Sequence, residues 1–531
     1  MPLQRSIGLL GLTFIGVSGI IGSGWLFAPL FAAHIAGPAA IVSWGIGGVS
    51  MLILALCFAE VTGILPVAGG IIRIPHFTHG DLTSSVLGWS AWVGYNTAAP
   101  IETSVMLQYL AVDFPWLFVG DPVATPLTVG GIAVALSILL LFVGINALGA
   151  QIFASANTGI TWLKLAIPLV VGGMILASRF EPGNLVNAGG FAPYGIEGIF
   201  KAVSAGGIIF ALIGFRHVID LAGEVKKPHV TLPLALTLSL LISMGVYLVM
   251  QIAFIGALTP ADLAKGWGAL QFDHHLGPIA GVVTALGLGW VTIVLTGGAV
   301  VAPFGGGLVS TGSMARLAYA MSQNRLLPSF FEKISNRGVP FRCLMLNFVF
   351  GTAILIWVPF VDSVALNGAA ITLSFCAGPI AVYTLRSQYP DAVRIFRLPA
   401  VGFFAPAGFV VATLIVFWSG WDTTWRLGLV VLVGLVFYAA RTIFYQKRRE
   451  DLDLKEGSWL IPYGVGLGGF SYLGGYGGGL AIILFPYDLL FILLFSLVIF
   501  WYAQRCRLSP EKAELYRDRY ATDLPADSTP L

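Results

Sequence analysis

The chain has 531 residues, of which 57% are hydrophobic and 10% are charged, and its formal net charge is +3. Soluble proteins carry about 25% charged residues. This composition, with a mean hydropathy of +0.88, therefore excludes an ordinary water-soluble fold. We expect an integral membrane protein. No basic cluster with interleaved aromatic residues indicates a nucleic-acid partner.

Long apolar stretches recur along almost the whole chain. A bilayer core needs roughly 20 apolar residues per helix, and about twelve such stretches precede Lys447. Two more follow it. The predicted spans are 7–30, 38–64, 84–111, 127–147, 151–178, 197–219, 231–256, 279–313, 341–360, 364–386, 402–419, 427–445, 459–484 and 488–504. We therefore expect an all-α polytopic fold of about 14 transmembrane helices.

Three regions follow from these stretches. We expect a membrane core over residues 1–446, an extra membrane hairpin over 447–507 and a cytoplasmic tail over 508–531. The segment 316–340 has helical spacing of apolar residues as far as Pro328, so it should extend the eighth span and then lead into a short surface helix. The glycine-rich segment 463–479 fits either a closely packed span or a re-entrant piece, and it is a candidate homodimer interface.

The distribution of basic residues gives an orientation, because cytoplasmic loops are enriched in Lys and Arg. With the N-terminus in the cytoplasm, the inner segments contain Arg5, Arg73, Lys226, Lys227, Arg325, Lys333, Arg337, Arg386, Arg394, Arg397, Lys447, Arg448, Arg449, Arg505 and Arg507. The outer loops contain only Arg179, Lys265 and Arg426, with Lys201 near the outer end of a span. We expect a multi-pass cell-membrane protein with a cytoplasmic N-terminus.

Two spans are interrupted by glycine. The first contains Ser18 to Gly24 (SGIIGSG) and the sixth contains Ser204 to Gly214 (SAGGIIFALIG). These positions correspond if the chain has two repeats of five spans. Paired interruptions of this kind point to a transporter's central site.

Unwound helices suit a zwitterionic ligand. In hydrocarbon, backbone may unwind only where it lines a cavity or meets a ligand. The free N–H groups at a half-helix N-terminus attract a carboxylate, while free carbonyls attract an ammonium group. The alternative is close helix packing through small residues, and with 66 glycines in the chain one such motif is weak evidence.

Five further motifs accompany these two interruptions. Gly19 to Gly24 (GIIGSG) resembles the first-helix signature of the amino acid–polyamine–organocation permeases. The chain also resembles this superfamily, in the same order, at Ala68 to Gly70, Phe210 to Phe215 (FALIGF), Glu224 to Pro228 with Pro233, Arg316 to Met321, Leu326 to Pro328 and Phe396 to Pro399.

The resemblance implies a five-plus-five inverted-repeat fold and an amino acid substrate. It implies that backbone at Ile20, Ile21, Gly22, Ser23 and Gly24 takes the substrate carboxylate and amine. In the sixth span, carbonyls of Phe210, Ala211 and Ile213, beside Gly214, would share the amine. Phe210 falls where the family has an aromatic gate, with ordinary helix packing as the alternative.

Ionisable residues at membrane depth are functional hypotheses because their burial is costly. Lys164 in the fifth span matches a lysine that, in several family members, stands where sodium-coupled relatives bind sodium. It could carry a coupled proton or serve as a fixed ion that bridges spans 1, 5 and 8. Glu102 in the third span could accept a proton, contact substrate or pair with another helix.

Arg216, just beyond the sixth-span interruption, departs from the family pattern. A guanidinium there could bind a side-chain carboxylate through two hydrogen bonds, which favours aspartate or glutamate as substrate. The alternative is an inner-gate salt bridge with Glu60, Asp220 or Glu224. Its neighbour His217 fits a polar contact better than a proton donor.

Metal and cofactor sites are not expected. Ser310, Thr311 and Ser313 could help to bind sodium, but Ser and Thr also join helices and Lys164 argues against a nearby cation. His274-His275 lacks further ligands close in sequence, and Cys57, Cys343, Cys376 and Cys506 form no close-spaced pattern. No phosphate loop or nucleophile–base spacing indicates a pump or an enzyme.

The sequence therefore favours a secondary amino acid transporter with alternating access. It favours proton-coupled uptake of an acidic amino acid by symport over exchange. A neutral amino acid or amine transporter is the alternative in the same class. A membrane sensor that keeps the permease fold without transport is the alternative from another class.

Overall fold

The structure is a computed structural model that describes residues 5–67, 69–111, 113–120, 125–270, 277–394, 396–444, 452–476 and 478–519. Over these ranges it contains helices and two isolated β-bridges, but no strand. The helices of the first half are α1 (Leu9–Ile20), α2 (Gly24–Ala36), α3 (Ala40–Ile64), α4 (Gly70–Leu110), α5 (Val129–Ala147), α6 (Ala150–Ser178), α7 (Gly195–Ala205), α8 (Ile208–Leu212), α9 (Arg216–Asp220) and α10 (Pro228–Ala257). Those of the second half are α11 (Pro260–Leu263), α12 (Gly277–Ala285), α13 (Gly289–Gln323), α14 (Phe341–Trp357), α15 (Phe360–Phe375), α16 (Ala377–Gln388), α17 (Val401–Trp418), α18 (Trp421–Phe444), α19 (Leu460–Leu473), α20 (Tyr487–Arg505) and α21 (Pro510–Arg519).

The all-α polytopic class is confirmed. Among the described residues, nine helices are long and apolar enough to cross a membrane, or ten if the bent pair in the sixth predicted span counts as one. A helix occupies every one of the fourteen predicted stretches. The number fourteen stays a prediction, because α19 has 14 residues and is therefore about 21 Å long, short of the roughly 30 Å hydrocarbon core.

Several predicted boundaries were wrong. The third span is part of the longer α4, which begins at Gly70 and kinks at Gly80, where φ is 74°. The eighth stretch is two helices, α12 and α13, with a break at 286–288. The thirteenth predicted span ends at Leu473, and residues 478–486 continue without helix. Each of these breaks lies at or beside a glycine.

The segment after the eighth span follows the prediction. Helix α13 continues to Gln323, and a short 3₁₀ turn, Ser329–Glu332, comes directly after Pro328. Proline has no N–H and a fixed φ, so it separates the two elements.

The centre of the molecule is formed by the helices that carry the interrupted segments. Helix α1 packs against α6, α10 and α13, while α4 packs against α13 and α15. Two ion pairs connect elements at one end of this bundle. Arg316 Nε donates to Glu224 Oε1 at 2.6 Å, and Arg386 Nη2 donates to Glu60 Oε2 at 2.6 Å.

The C-terminal helices lie outside that centre. Helix α20 packs against α16 and α17, and α19 packs against α18 and α20. Gly466 lies against the ring of Phe495, where a Cβ atom would come within 2.3 Å of the ring. The predicted hairpin boundary at 447, the His274-His275 pair and the tail beyond residue 519 lie outside the described residues.

Candidate functional site

The first span is broken between α1 and α2. Ile21 leaves the helical conformation with φ −83° and ψ 79°, and α2 resumes at Gly24. The carbonyl of Ile20 accepts a hydrogen bond from the Tyr247 hydroxyl at 2.7 Å. The break therefore leaves backbone groups inside the bundle without helical hydrogen bonds. Polar side chains form hydrogen bonds with some of these groups, as burial requires.

The sixth span is broken twice. Gly207 has a positive φ of 77° between α7 and α8, and a 3₁₀ turn over Ile213–Phe215 separates α8 from α9. The first break falls at the glycine pair Gly206-Gly207 of the predicted interruption. The second break includes Gly214, the last residue of that predicted interruption. The α7 segment and the following helices meet at a bend of 45°.

The two interrupted spans touch backbone to backbone. A Cβ atom on Gly214 would lie 2.2 Å from the carbonyl carbon and oxygen of Gly19. A Cβ atom on Gly24 would lie 3.0 Å from that of Ala211. Glycine at these positions allows the unwound parts of both spans to form one wall.

A small cavity of about 30 Å³ lies at this contact. That volume holds about two water molecules, so the cavity is too small to hold an amino acid. Eight of the predicted site residues line it, namely Ile20, Gly22, Gly24, Glu102, Phe210, Ala211, Ile213 and Arg216. The lining also includes Gly19, Ala98, His217, Ser310 and Asn367. Ile21, Ser23, Gly214 and Lys164 lie behind this surface.

Glu102 reaches into the break of the first span. Its Oε2 atom accepts a hydrogen bond from the backbone N–H of Ser23 at 3.0 Å. A Cβ atom on Gly22 would lie 2.1 Å from Glu102 Oε1, so the carboxyl group fills the space beside that glycine. The side chain therefore takes the half-helix N-terminus where a carboxylate is favoured.

Lys164 binds the other side of the same break. Its Nζ atom donates to the carbonyl oxygen of Ser18 at 2.5 Å and lies 3.1 Å from the Ser18 hydroxyl. Lys164 is buried. Adjacent glycines of α13 flank both groups. A Cβ atom on Gly305 would lie 3.0 Å from Lys164 Nζ, and one on Gly306 would lie 2.8 Å from Glu102 Oε1.

Arg216 stacks on an aromatic ring. Its Cζ atom lies 4.2 Å from the centroid of the Tyr95 ring, and the Tyr95 hydroxyl donates to Asp220 Oδ2 at 2.6 Å. Among the described residues, Arg216 makes no salt bridge, and its buried Nε atom has no hydrogen-bond acceptor. Two of the acids considered as partners are engaged elsewhere, Glu60 with Arg386 and Glu224 with Arg316.

Two of the three α13 hydroxyl groups considered for sodium binding have protein partners. Thr311 Oγ1 donates to the carbonyl of Gly307 at 2.8 Å, and Ser313 Oγ lies 2.8 Å from His217 Nδ1. Ser310 lines the cavity. Within the described ranges, no group of three or more His, Cys, Asp or Glu side chains is placed to hold a metal ion.

Sequence reasoning missed three polar residues at the cavity and the interrupted segments. Asn367 lines the cavity and donates to the carbonyl of Gly94 at 2.9 Å and to Thr97 Oγ1 at 3.0 Å. Tyr95 and Tyr247 bind the ends of the interrupted segments, as described above. The amide of Asn367 lies within an apolar stretch of sequence, and this pattern could have indicated a polar site residue. The two tyrosines were not distinguishable from the other aromatic residues of their spans.

Paired broken helices around a small polar centre in an all-helical bundle define a polytopic membrane transporter. The chain belongs to the amino acid permease family, whose model matches residues 7–438. It is a multi-pass membrane protein whose substrate is an amino acid, and its family and relatives are transporters and not enzymes.

Two full-length relatives are similar at the same level. The glutamate/serine transporter AimA of Bacillus subtilis (strain 168) is 34% identical over 515 residues, which cover 94% of each chain. The aspartate-proton symporter of the same organism is 34% identical over 509 residues, which cover 94% of this chain and 96% of the relative. The branched-chain amino acid permease BcaP of the same organism is 27% identical over 463 residues, which cover 85% of this chain and 95% of the relative.

Proposed function

We propose that this protein is a secondary active transporter that takes up an acidic amino acid together with a proton. The observation that carries the proposal is the position of Glu102, a buried acid whose carboxyl group occupies the N–H of Ser23 beside the central cavity. The relatives named for glutamate, serine and aspartate–proton transport support the same class of substrate.

Substrate binding follows from the free groups at the two breaks. The α-carboxylate binds the N-terminus of α2, where Glu102 now lies. The amine binds the carbonyls of α8 and of the 3₁₀ turn, and Phe210 covers it. The guanidinium of Arg216, which lines the cavity, takes the side-chain carboxylate. Because the present cavity of about 30 Å³ is too small for this ligand, α1, α2 and α8 must separate for it to enter.

Proton coupling follows from the displacement of Glu102. A substrate carboxylate that takes the N–H of Ser23 leaves the Glu102 carboxylate without its hydrogen-bond donor in a buried site. An unpaired charge there is unfavourable, so Glu102 binds a proton or turns toward Lys164. Lys164 is held by Ser18 on the same unwound segment, so movement of α1 changes its oxygen partners. Substrate binding and proton binding are therefore linked.

Uptake into liposomes tests the proposal. The purified full-length protein is reconstituted, and labelled aspartate, glutamate and serine are supplied under an inward proton gradient, an inward sodium gradient or neither. We expect aspartate or glutamate to accumulate only with the proton gradient, and Lys164→Met to abolish that accumulation. Accumulation driven by sodium, or undiminished proton-driven uptake by Lys164→Met, contradicts the coupling.

The same assay separates the alternatives. Serine uptake that exceeds aspartate uptake favours a neutral amino acid transporter, which the glutamate/serine relative keeps as a second candidate. Strict dependence on amino acid inside the liposome favours an exchanger. Saturable binding without any flux favours a sensor.

A further inference from the structure

A second and larger cavity lies away from the central site, at the C-terminal end of α20. Its volume is about 650 Å³, within the range of roughly 300–1,000 Å³ that is typical of ligand sites. The walls come from the last turn of α20, the chain before α19, the start of α21 and Tyr383 of α16. The proposed transport cycle uses none of these residues.

Three cations surround this cavity. Lys455, Arg505 and Arg507 line it and are exposed. In the part of the chain that the structure describes, none of the three forms a salt bridge. Glu456 also lines the cavity, but its carboxylate is held by Lys512 Nζ at 3.0 Å. Arg507 Nη1 donates to the carbonyl of Gln504 at 3.3 Å, whereas the side chains of Lys455 and Arg505 make no hydrogen bond with the described residues. The cavity therefore has excess positive charge and N–H donors that suit an anion.

The N-terminus of α21 borders the cavity. Ser509 and Pro510 line it, and the Ser509 hydroxyl accepts a hydrogen bond from the backbone N–H of Lys512 at 3.3 Å. Helix N-termini carry partial positive charge, but the first turn of α21 contains the acidic Glu511, which offsets that charge. The positive charge of the cavity therefore comes from Lys455, Arg505 and Arg507.

Aromatic residues place the cavity at the membrane surface. Trp501 and Tyr383 line it with their rings 5.3 Å apart, edge to face. Trp and Tyr are enriched at the level of the lipid headgroups. By the distribution of Lys and Arg in the sequence, this surface is the cytoplasmic one, where anionic lipids are concentrated.

An exposed apolar stripe on α20 runs directly to the cations. Phe491, Leu494, Val498 and Trp501 are 43%, 50%, 66% and 45% exposed. Their spacing of three or four residues places them on one helix face, and the next position at that spacing is Arg505. A lipid whose acyl chain lies along this stripe brings its headgroup to Arg505. A free anion would make no use of the stripe.

We propose that this cavity binds the headgroup of an anionic phospholipid. The phosphate lies among Lys455, Arg505 and Arg507, and one acyl chain follows the apolar face of α20 that ends at Trp501. Such a lipid joins α20 to α16 and to α21, which all contribute to the cavity.

Native mass spectrometry of the full-length protein in detergent tests the proposal. The protein is titrated with phosphatidylglycerol, with phosphatidylcholine of the same acyl chains, or with inorganic phosphate. We expect phosphatidylglycerol to bind most tightly, and the double variant Lys455→Gln/Arg505→Gln to bind it about 25-fold more weakly, since each cation near a membrane surface contributes about fivefold. Added salt should weaken binding to the wild-type protein.

The matched control removes two exposed cations from another loop on the same predicted side, Lys333→Gln/Arg337→Gln. It should bind phosphatidylglycerol as the wild type does. The proposal is overturned if phosphatidylcholine binds equally well, if both double variants weaken binding alike, or if inorganic phosphate displaces phosphatidylglycerol at similar concentration. The last result would identify a site for a soluble anion.

Discussion

Ser23 donates its backbone N–H to Oε2 of Glu102 across 3.0 Å, so a carboxyl group of the third span already occupies the unwound part of the first. In the proposed cycle, an amino acid substrate presents the same chemical group to the same helix end, so Glu102 and the substrate compete for one hydrogen-bond donor. The carboxylate that loses this donor must be neutralised, because both groups lie in a buried site. On this proposal, the competition links substrate binding to proton binding.

The first prediction concerns Glu102→Gln. The amide oxygen can still accept from Ser23, so the fold should be kept, but the side chain no longer binds and releases a proton. We expect an inward proton gradient to drive no accumulation of aspartate, while exchange of internal for external aspartate continues. Both are measured in liposomes, and the pH profile of uptake should become flat.

A suitable control is Glu181→Gln. Glu181 is an exposed acid whose carboxylate lies 3.6 Å from Arg179 Nη2 at the protein surface, and its loss should leave proton-driven accumulation unchanged. Normal accumulation by Glu102→Gln would rule out Glu102 as the coupling group.

The second prediction concerns Arg216→Gln. If the guanidinium binds the substrate side chain, its loss removes charged hydrogen bonds worth about 1.5–3 kcal/mol. We expect kcat/KM for aspartate to fall by about tenfold to hundredfold, while kcat/KM for serine changes little. Competition between the two labelled substrates measures the ratio directly.

Arg342→Gln is the matched control for that change. Arg342 also stacks on an aromatic ring, with its Cζ atom 4.0 Å from the Phe330 centroid, but it does not line the cavity. An unchanged aspartate-to-serine ratio in Arg216→Gln would mean that Arg216 supports the fold through Tyr95 alone.

The interrupted helices could be predicted from the sequence because glycine-containing segments occur at corresponding positions of two spans and resemble a family signature, whereas one such motif alone is weak evidence. Backbone unwinds in hydrocarbon only where it lines a cavity or meets a ligand, and Gly22 and Gly207 lie at the observed breaks. The residues that meet there could not be predicted, since the register between spans is not local. Arg216 illustrates this. Three acids, nearby in sequence or on neighbouring spans, were candidate salt-bridge partners for Arg216. The structure instead places its guanidinium over the ring of Tyr95.

Hydropathy also misplaced the start of the third span. Residues of α4 before the kink at Gly80 include Arg73 and His79, which are polar and yet buried. His79 Nε2 lies 3.0 Å from the carbonyl oxygen of Ala503 on α20. A helix segment that is covered by protein can contain polar residues, whereas a lipid-facing helix must be apolar. A search for apolar windows therefore does not detect this segment.

The third prediction concerns the backbone contact between the two breaks. In Gly214→Ala, the added methyl group meets the Gly19 carbonyl at 2.2 Å, and backbone cannot move aside as a flexible side chain can. We expect a loss of stability of about 1–3 kcal/mol from overpacking and loss of transport, measured by thermal unfolding in detergent and by uptake.

Gly245→Ala provides the comparison. Gly245 lies inside α10, and a Cβ atom there meets nothing within 4 Å. Alanine is favoured over glycine in a helix by about 1 kcal/mol, so this variant should be as stable as the wild type or more so. Equal behaviour of the two variants would show that the contact at Gly214 is not essential.

The last prediction concerns the buried pair of Arg316 and Glu224, whose side chains are 0% and 1% exposed. Removing one partner leaves the other charge buried without compensation, which typically costs about 3–5 kcal/mol. We expect Arg316→Met and Glu224→Gln each to lower the unfolding temperature strongly, and the double variant to lose less than the two single losses combined. The exposed pair of Arg426 and Asp362, at 49% and 44% exposure, should contribute about 0–1 kcal/mol. If the losses at Arg316 and Glu224 simply add, the two charges do not depend on each other, and the pair is not what fastens α13 to the end of the sixth span.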